Sequence, residues 1–170
     1  MRIGIISDTH DNIPKIRAAV DLFNRAGVDA VLHCGDFVAP FALLSFTDLA
    51  CKKFHAVFGN NDGEKTGILK LAAQKGWNIG PAGMDVAFSG KKIIMLHEPD
   101  RIDTALNSGC DIILYGHTHK PKAEHKNGCL LLNPGEGGGW LSGTATVAVL
   151  DLKTMAAEFH EVGGSPIRPM

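Results

Sequence analysis

Polar side chains that can bind metal ions follow several apolar runs of this sequence. The run Ile112–Tyr115 ends in Gly116-His117-Thr118-His119, so two imidazoles stand one residue apart. Earlier runs end in Ser7-Asp8-Thr9-His10, in Gly35-Asp36, in Gly59-Asn60-Asn61-Asp62 and in His97. Alternate residues of an extended chain share one face, so both histidines of the last motif can point toward one site. The pattern indicates ligand-binding side chains at the ends of strands.

The types of side chain in this set indicate what they would bind. Asp, Asn and His without cysteine suit divalent Mn, Fe, Zn, Ni or Co, whereas structural zinc sites use thiolates. The candidate ligands are Asp8, His10, Asp36, Asn60, His97, His117 and His119. So many groups can hold two ions if one carboxylate bridges them, and two metals about 3.5–4 Å apart suit phosphoryl chemistry.

Each motif taken alone has a plainer explanation. Gly-Asp after a strand and Asn-Asn-Asp-Gly are both common in turns, and a lone histidine such as His97 is more often structural than a ligand. Turn chemistry does not explain why Asp, Asn or His recurs at five successive strand ends while the strand interiors stay apolar. The combination therefore favours a metal centre.

The elements that would position these residues alternate in the first half of the chain. The sequence predicts strands over 2–7, 29–36 and 52–62, and helices over 12–27, 39–49 and 64–75. This order indicates a parallel sheet with crossover helices. The carboxyl ends of parallel strands share one edge, which is where ligands bind in such sheets.

The second half is richer in strands. Two strands joined at Ser89-Gly90 precede a short helix over 101–109 and a strand over 110–117, and Asn127-Gly128 predicts a hairpin. A last pair of strands turns near Lys153-Thr154. We therefore expect two sheets packed face to face with helices outside. The expected organisation is a single domain over residues 1–163 and a frayed C-terminal tail over 164–170.

Composition limits the classes of partner. Of the 170 residues, 45% are hydrophobic, and the formal net charge is −1. Binding to a nucleic-acid polymer needs many Lys and Arg contacts to phosphates, so none is expected. We also expect no membrane partner and a cytoplasmic location, because no apolar segment approaches about 18 residues and the four cysteines lack a CxxC spacing. Nothing in the sequence indicates an oligomeric state.

The ordered motifs Asp-Thr-His, Gly-Asp, Gly-Asn-Asn-Asp, His97 and Gly-His-Thr-His closely resemble those of the calcineurin-like metallophosphoesterases, from Asp8 to Gly135. The resemblance implies a four-layer α/β/β/α sandwich with two mixed β-sheets, and an enzyme similar to small bacterial and archaeal phosphodiesterases. It implies that a metal-bridging hydroxide attacks small phosphodiesters in line. It implies two divalent metal ions, with manganese expected ahead of Ni, Fe, Zn or Co. In the implied assignment, one ion is held by Asp8, His10, Asp36 and His119, and the other by Asp36, Asn60, His97 and His117.

Two positions depart from the family pattern. Many relatives carry a histidine directly after the motif asparagine, where this chain has Asn61, which cannot act as a general acid. We predict catalytic roles for Asp36, Asn60 and Asn61, and we interpret Asp62 as a turn residue rather than a substitute acid. The second departure is Glu136, where small relatives often carry serine, and the sequence does not indicate what this changes.

Other interpretations stay open at the level of sequence. A phosphomonoesterase of the same fold, or a non-catalytic scaffold that binds proteins, would share these patterns. The glycine-rich segment 135–143 is either a mobile loop that offers Trp140 to a substrate or a flexible connector. The remaining histidines are expected to be structural or at the surface: His33, His55, His125 and His160.

Overall fold

Two β-sheets form the centre of the molecule in the computed structural model, which describes residues 1–163. The strands are β1 Arg2–Ile6, β2 Ala30–His33, β3 Lys53–Val57, β4 Asn78–Gly80, β5 Met84–Phe88, β6 Lys91–Met95, β7 Ile112–Leu114, β8 Lys122–Lys126, β9 Cys129–Asn133, β10 Thr146–Asp151 and β11 Ala156–Glu161. The larger sheet has the order β11-β10-β1-β2-β3-β4, and the smaller sheet has the order β5-β6-β7-β9-β8. The predicted tail, residues 164–170, lies outside the described residues.

Helices cover the outer faces of both sheets. They are α1 Ile13–Ala26, α2 Pro40–Leu44, α3 Lys65–Lys75 and α4 Ile102–Leu106, with a 3-10 turn at Pro99–Arg101 before α4. The side chain of Asn12 accepts the Lys15 N–H at the start of α1, and Gly27 ends that helix with a φ of +63°. None of the helices in this part of the chain has the length and apolar character that a membrane span needs.

The alternation of side chains along the strands builds three apolar layers. In β1, Ile3 and Ile5 point into the core between the sheets, while Ile6 packs with Phe23 of α1 on the outer face. On the far side, Ile113 of the smaller sheet packs with residues of α4. The expected α/β/β/α sandwich of two mixed sheets is confirmed.

Parallel pairing brings the strand ends together. In the larger sheet, β1, β2 and β3 run parallel, and in the smaller sheet β6, β7 and β9 do the same. The segments that follow these six strands therefore meet where the edges of the two sheets face each other, and they contain all the predicted ligands.

The strands expected over 29–36, 52–62 and 110–117 and the helix expected over 101–109 are each shorter than expected, because their polar ends form loops. Two further details also differ from the sequence-based expectation. The helix expected over 39–49 ends at Leu44, where the hydroxyl of Thr47 donates to the Leu44 carbonyl and stabilises a turn instead. The short strand β4, Asn78–Gly80, was not predicted, because three residues are too few to show an alternating pattern.

Candidate metal centre

Two buried carboxylates lie at the middle of the site. Asp8 follows β1 and Asp36 follows β2, and both side chains are excluded from solvent. The backbone is left-handed at both residues, with φ of +53° and +59°, and also at His10, His117 and His119. Such a conformation costs about 1–3 kcal/mol per residue and is found mainly where surrounding contacts enforce it, often at functional sites.

One pair of histidines lies beside Asp8. His119 Nε2 is 3.3 Å from Asp8 Oδ1, and His10 Nε2 is 4.0 Å from the same oxygen. The centroids of the two imidazole rings are 5.5 Å apart. These three residues can place one ligand atom each within 4.8 Å of one another, as a metal site requires.

A second pair of histidines lies on the other side of Asp36. His97 Nε2 is 3.4 Å from Asp36 Oδ2, and the ring centroids of His97 and His117 are 5.3 Å apart. Asn60 Oδ1 joins them, at 2.8 Å from His97 Nε2 and 3.0 Å from His117 Nδ1. The structure therefore brings all seven predicted ligands together and separates their histidines into the two pairs that the resemblance implied.

The electrostatics of the two carboxylates differ. Burial raises the pKa of Asp8, and the nearby charge of Asp36 adds to this rise. Burial also opposes ionisation of Asp36, but hydrogen bonds from His97 and Asn61 hold the pKa of Asp36 well below its ordinary value. Two adjacent buried carboxylates need cationic neighbours, so the donor set and its charge fit divalent ions.

The motif glycines let the backbone approach these carboxylates closely. A Cβ atom on Gly59 would lie 2.7 Å from the Asp36 nitrogen, and one on Gly116 would lie 2.7 Å from Asp8 Oδ2. Both distances are shorter than real Cβ contacts. A side chain at either position would displace a predicted metal ligand.

Asn61 and Asp62 contact Asp36 in different ways. The Asn61 side-chain amide donates to Asp36 Oδ2 at 2.7 Å, and its backbone N–H donates to Oδ1 at 2.8 Å. The Asp62 carboxylate accepts the backbone N–H groups of Asp36, Val38 and Gly59 at 2.7–3.0 Å. Asp62 therefore fixes the two loops against each other, which agrees with its interpretation as a turn residue.

The glycine-rich segment is anchored over the end of β1. Gly137 and Gly138 donate their N–H groups to the Ser7 and Asp8 carbonyls, at 2.7 and 2.9 Å. The Trp140 indole N–H donates to the His10 carbonyl at 3.0 Å, and Leu141 is 83% exposed. The segment therefore contacts the loop after β1 at three points, and it places apolar surface beside the predicted ligands.

Glu136 contacts a predicted metal ligand, although the sequence did not indicate a role for it. Its buried carboxylate lies 3.5 Å from His119 Nδ1. The available signal was its position, because Glu136 follows β9 as the predicted ligands follow their own strands. His33, by contrast, is a buried structural residue that contacts Thr9 Oγ1 at 3.1 Å.

Two mixed sheets that present carboxylates and imidazoles where their edges meet define an α/β sandwich with a candidate dinuclear metal centre. The chain belongs to the calcineurin-like phosphoesterase superfamily, whose domain matches residues 1–155. Phosphodiesterase MJ0936 of Methanocaldococcus jannaschii is 38% identical over 166 residues, which cover 95% of this chain and 98% of that protein.

Solved structures show the same architecture. A structure described as a novel archaeal phosphodiesterase matches with a TM-score of 0.89 at 35% identity, covering 95% of this chain and 99% of its own. Vps29 of Entamoeba histolytica, solved with zinc, matches with a TM-score of 0.72 at 22% identity, covering 98% and 96%. At that identity the likeness to Vps29 shows the fold alone.

Proposed function

We propose that this protein hydrolyses small phosphodiesters with two divalent transition metal ions, with manganese expected ahead of Ni, Fe, Zn or Co. The observation that carries the proposal is the arrangement of two histidine pairs around two buried carboxylates. A relative 38% identical over 95% of this chain is named a phosphodiesterase, which supports the same activity here.

The proposed ligands fall into two sets that share Asp36. Asp8, His10, Asp36 and His119 would hold one ion, and Asp36, Asn60, His97 and His117 the other. A bridging role is supported by Asp36 Oδ2, which lies 3.7 Å from His10 Nε2 and 3.4 Å from His97 Nε2. When bound, two such ions lower the pKa of a water molecule and stabilise charge on the phosphoryl oxygens during in-line displacement.

Two grooves favour a diester over a monoester. One groove of about 370 Å³ is lined by His117, His119, Lys120 and Leu141. A second groove, also about 370 Å³, is lined by Phe58, Asn60, Lys65 and Pro81. The first groove is lined by two predicted metal ligands and the second by Asn60, so both border the proposed centre. A phosphodiester has two substituents, and each groove offers mostly apolar surface and a lysine to one of them.

Removal of the proposed bridging ligand tests the centre. In Asp36→Ala, both ions should bind more weakly and hydrolysis of bis(p-nitrophenyl) phosphate with added Mn²⁺ should fall to background. The matched control is Asp103→Ala, which removes an exposed carboxylate on α4 that pairs with Lys126, and this variant should behave as the wild type. Full metal stoichiometry in Asp36→Ala would refute the bridging role.

Substrate preference distinguishes the alternatives. The proposal expects faster turnover of bis(p-nitrophenyl) phosphate than of p-nitrophenyl phosphate, and the opposite order would favour a phosphomonoesterase. A purified protein that binds no transition metal and hydrolyses neither ester with Mn²⁺ or Ni²⁺ would favour the protein-binding scaffold. Retention of every predicted ligand argues against that last function.

Asn61 leads to a prediction about the leaving group. Asn61 cannot donate a proton as an acid, and the Asp62 carboxylate is engaged by three backbone N–H groups. The rate should therefore depend steeply on the pKa of the leaving group across a series of aryl phosphodiesters. In Asn61→His, which introduces a possible general acid, we expect a shallower dependence. A flat dependence in the wild type would contradict the prediction.

A further inference from the structure

Glu136 is a fully buried carboxylate at the rim of the proposed metal centre. Its Oε1 lies 3.5 Å from His119 Nδ1 and accepts the Leu141 N–H at 2.9 Å, while its Oε2 accepts the Ser142 N–H at 2.7 Å. Both carboxylate oxygens thus act as hydrogen-bond acceptors toward backbone N–H groups, which is the acceptor-only pattern of an ionised carboxylate.

His119 consequently lies between two buried carboxylates. Its Nε2 is 3.3 Å from Asp8 Oδ1, and its Nδ1 faces Glu136. An imidazole that uses Nε2 as a metal ligand carries its proton on Nδ1. A carboxylate next to that proton fixes the tautomer and the ring orientation, and it makes the ligand nitrogen more basic.

His97 provides an internal comparison. Its Nδ1 lies 2.8 Å from the backbone carbonyl of Cys34, which can only accept a hydrogen bond. The ring of His97 is therefore oriented by a neutral main-chain group, whereas the ring of His119 is oriented by a charged side chain. The two sides of the centre differ in the group that supports the histidine.

We propose that Glu136 is the positioning residue of His119. It would thereby increase the affinity for the ion that is held by Asp8, His10, Asp36 and His119. This inference rests on the proposed dinuclear function. Glu136 also holds the backbone of residues 141–142, so the same carboxylate fixes a metal ligand and the apolar rim of one groove. Replacement of Glu136 should therefore weaken the binding of one ion selectively rather than the binding of both.

The test is a titration of chelator-treated protein with Zn²⁺ by calorimetry. Glu136→Gln keeps a carbonyl oxygen for the loop N–H groups but removes the charge. We expect one of the two binding events to weaken about ten- to hundredfold, and this should be the event that His119→Gln removes. Glu158→Gln, which removes an exposed carboxylate on β11, is the control and should match the wild type.

A second measurement follows the imidazole directly. In the zinc-loaded protein labelled with ¹⁵N-histidine, the Nδ1–H resonance of His119 should move upfield in Glu136→Gln, while that of His97 stays in place. A structural role alone would lower the melting temperature without this selective shift. Glu136→Asp keeps the charge on a shorter side chain and should recover part of the lost affinity.

The role of Glu136 and the presence of the dinuclear centre can fail separately in these experiments. Unchanged affinity for both ions in Glu136→Gln, or equal weakening of both, would overturn the role of Glu136. An affinity in Glu136→Asp no higher than in Glu136→Gln would overturn the role of its charge. A wild-type protein that binds no zinc at all would instead refute the dinuclear centre.

Discussion

At the scale of single residues, two buried histidines show how local partners set protonation. The Nδ1 atom of His33 accepts the Gly35 N–H, and burial lowers the pKa of His33 to about 3. Burial also opposes charge on His97, but its hydrogen bond and charge interaction with Asp36 raise the pKa of His97 to about 8. His33 is therefore neutral in the folded protein across the physiological range.

This state of His33 predicts a loss of stability in acid. The unfolded chain binds a proton at this histidine below about pH 6.5, whereas the folded chain does not until about pH 3. The contribution of His33 to the free energy of unfolding is thus fully present above pH 6.5, and it falls by about 1.4 kcal/mol for each pH unit below that value. Urea unfolding of the chelator-treated protein between pH 8 and pH 5 measures the effect.

The variant His33→Asn isolates the contribution of His33 to the pH dependence of stability. Asparagine can accept the Gly35 N–H but does not titrate, so this variant should be less stable at pH 8 because it loses ring packing against Phe37 and Phe46. The difference in free energy of unfolding between this variant and the wild type should then be about 2 kcal/mol smaller at pH 5 than at pH 8. His125→Asn on the exposed strand β8 is the control. Parallel pH curves for the wild type and His33→Asn would contradict this prediction.

At the scale of elements, the strand ends and the turns after them form the proposed metal centre. Parallel pairing of β1, β2 and β3 places three loops side by side, and the motif glycines let these loops touch. A Cβ atom on Gly59 would lie 2.8 Å from Asp36 Cγ, whereas one on Gly63 would have no atom within 4 Å. Two glycines of one segment therefore differ sharply in their tolerance to substitution.

Alanine substitutions at these glycines test the close approach. Gly59→Ala should displace the Asp36 carboxylate, and a shift of about 1 Å can lower turnover about 100-fold. Gly63→Ala should retain wild-type turnover. Rates with bis(p-nitrophenyl) phosphate and Mn²⁺, compared with the melting temperature of each variant, separate misplacement of the ligand from general unfolding. Equal rates for the two variants would show that the loops relax without cost.

How much of the structure the sequence predicts also depends on the scale of the element. Long apolar runs with polar ends identified the strands, the layers and the positions of Asp8 and His119, because alternation and helical periodicity are local signals. The early end of α2 was missed because it depends on the Thr47 hydroxyl, and β4 was missed because it is short. The role of Glu136 could not be predicted, since a contact with His119 depends on how separate strands pack.

At the scale of the whole molecule, the proposed metal centre takes residues from both sheets. The larger sheet supplies Asp8, His10, Asp36 and Asn60, and the smaller sheet supplies His97, His117 and His119. Ions bound by such a set interact with the folded chain and not with the unfolded one. Metal binding should therefore stabilise the entire sandwich rather than one loop.

Thermal unfolding tests this coupling. Mn²⁺ at 100 times its dissociation constant should add about 2.7 kcal/mol per site, which corresponds to a rise in melting temperature of about 5–10 °C per site for a domain of this size. Asp36→Ala should lose most of this rise, and Asp103→Ala should keep it. A melting temperature that does not respond to Mn²⁺ in the wild type would contradict the proposed centre.

The contacts across the two sheets also have a consequence for the freedom of the chain. His117 donates its N–H to Asp8, 109 positions away, and His97 contacts Cys34, 63 positions away. Unlike a disulfide, these contacts are lost when the chain unfolds, so they do not restrict the unfolded ensemble. In the folded chain, however, each of them must break before the two sheets can separate. Ions held from both sheets would thus act as reversible cross-links, and separation of the sheets would have to wait for their release.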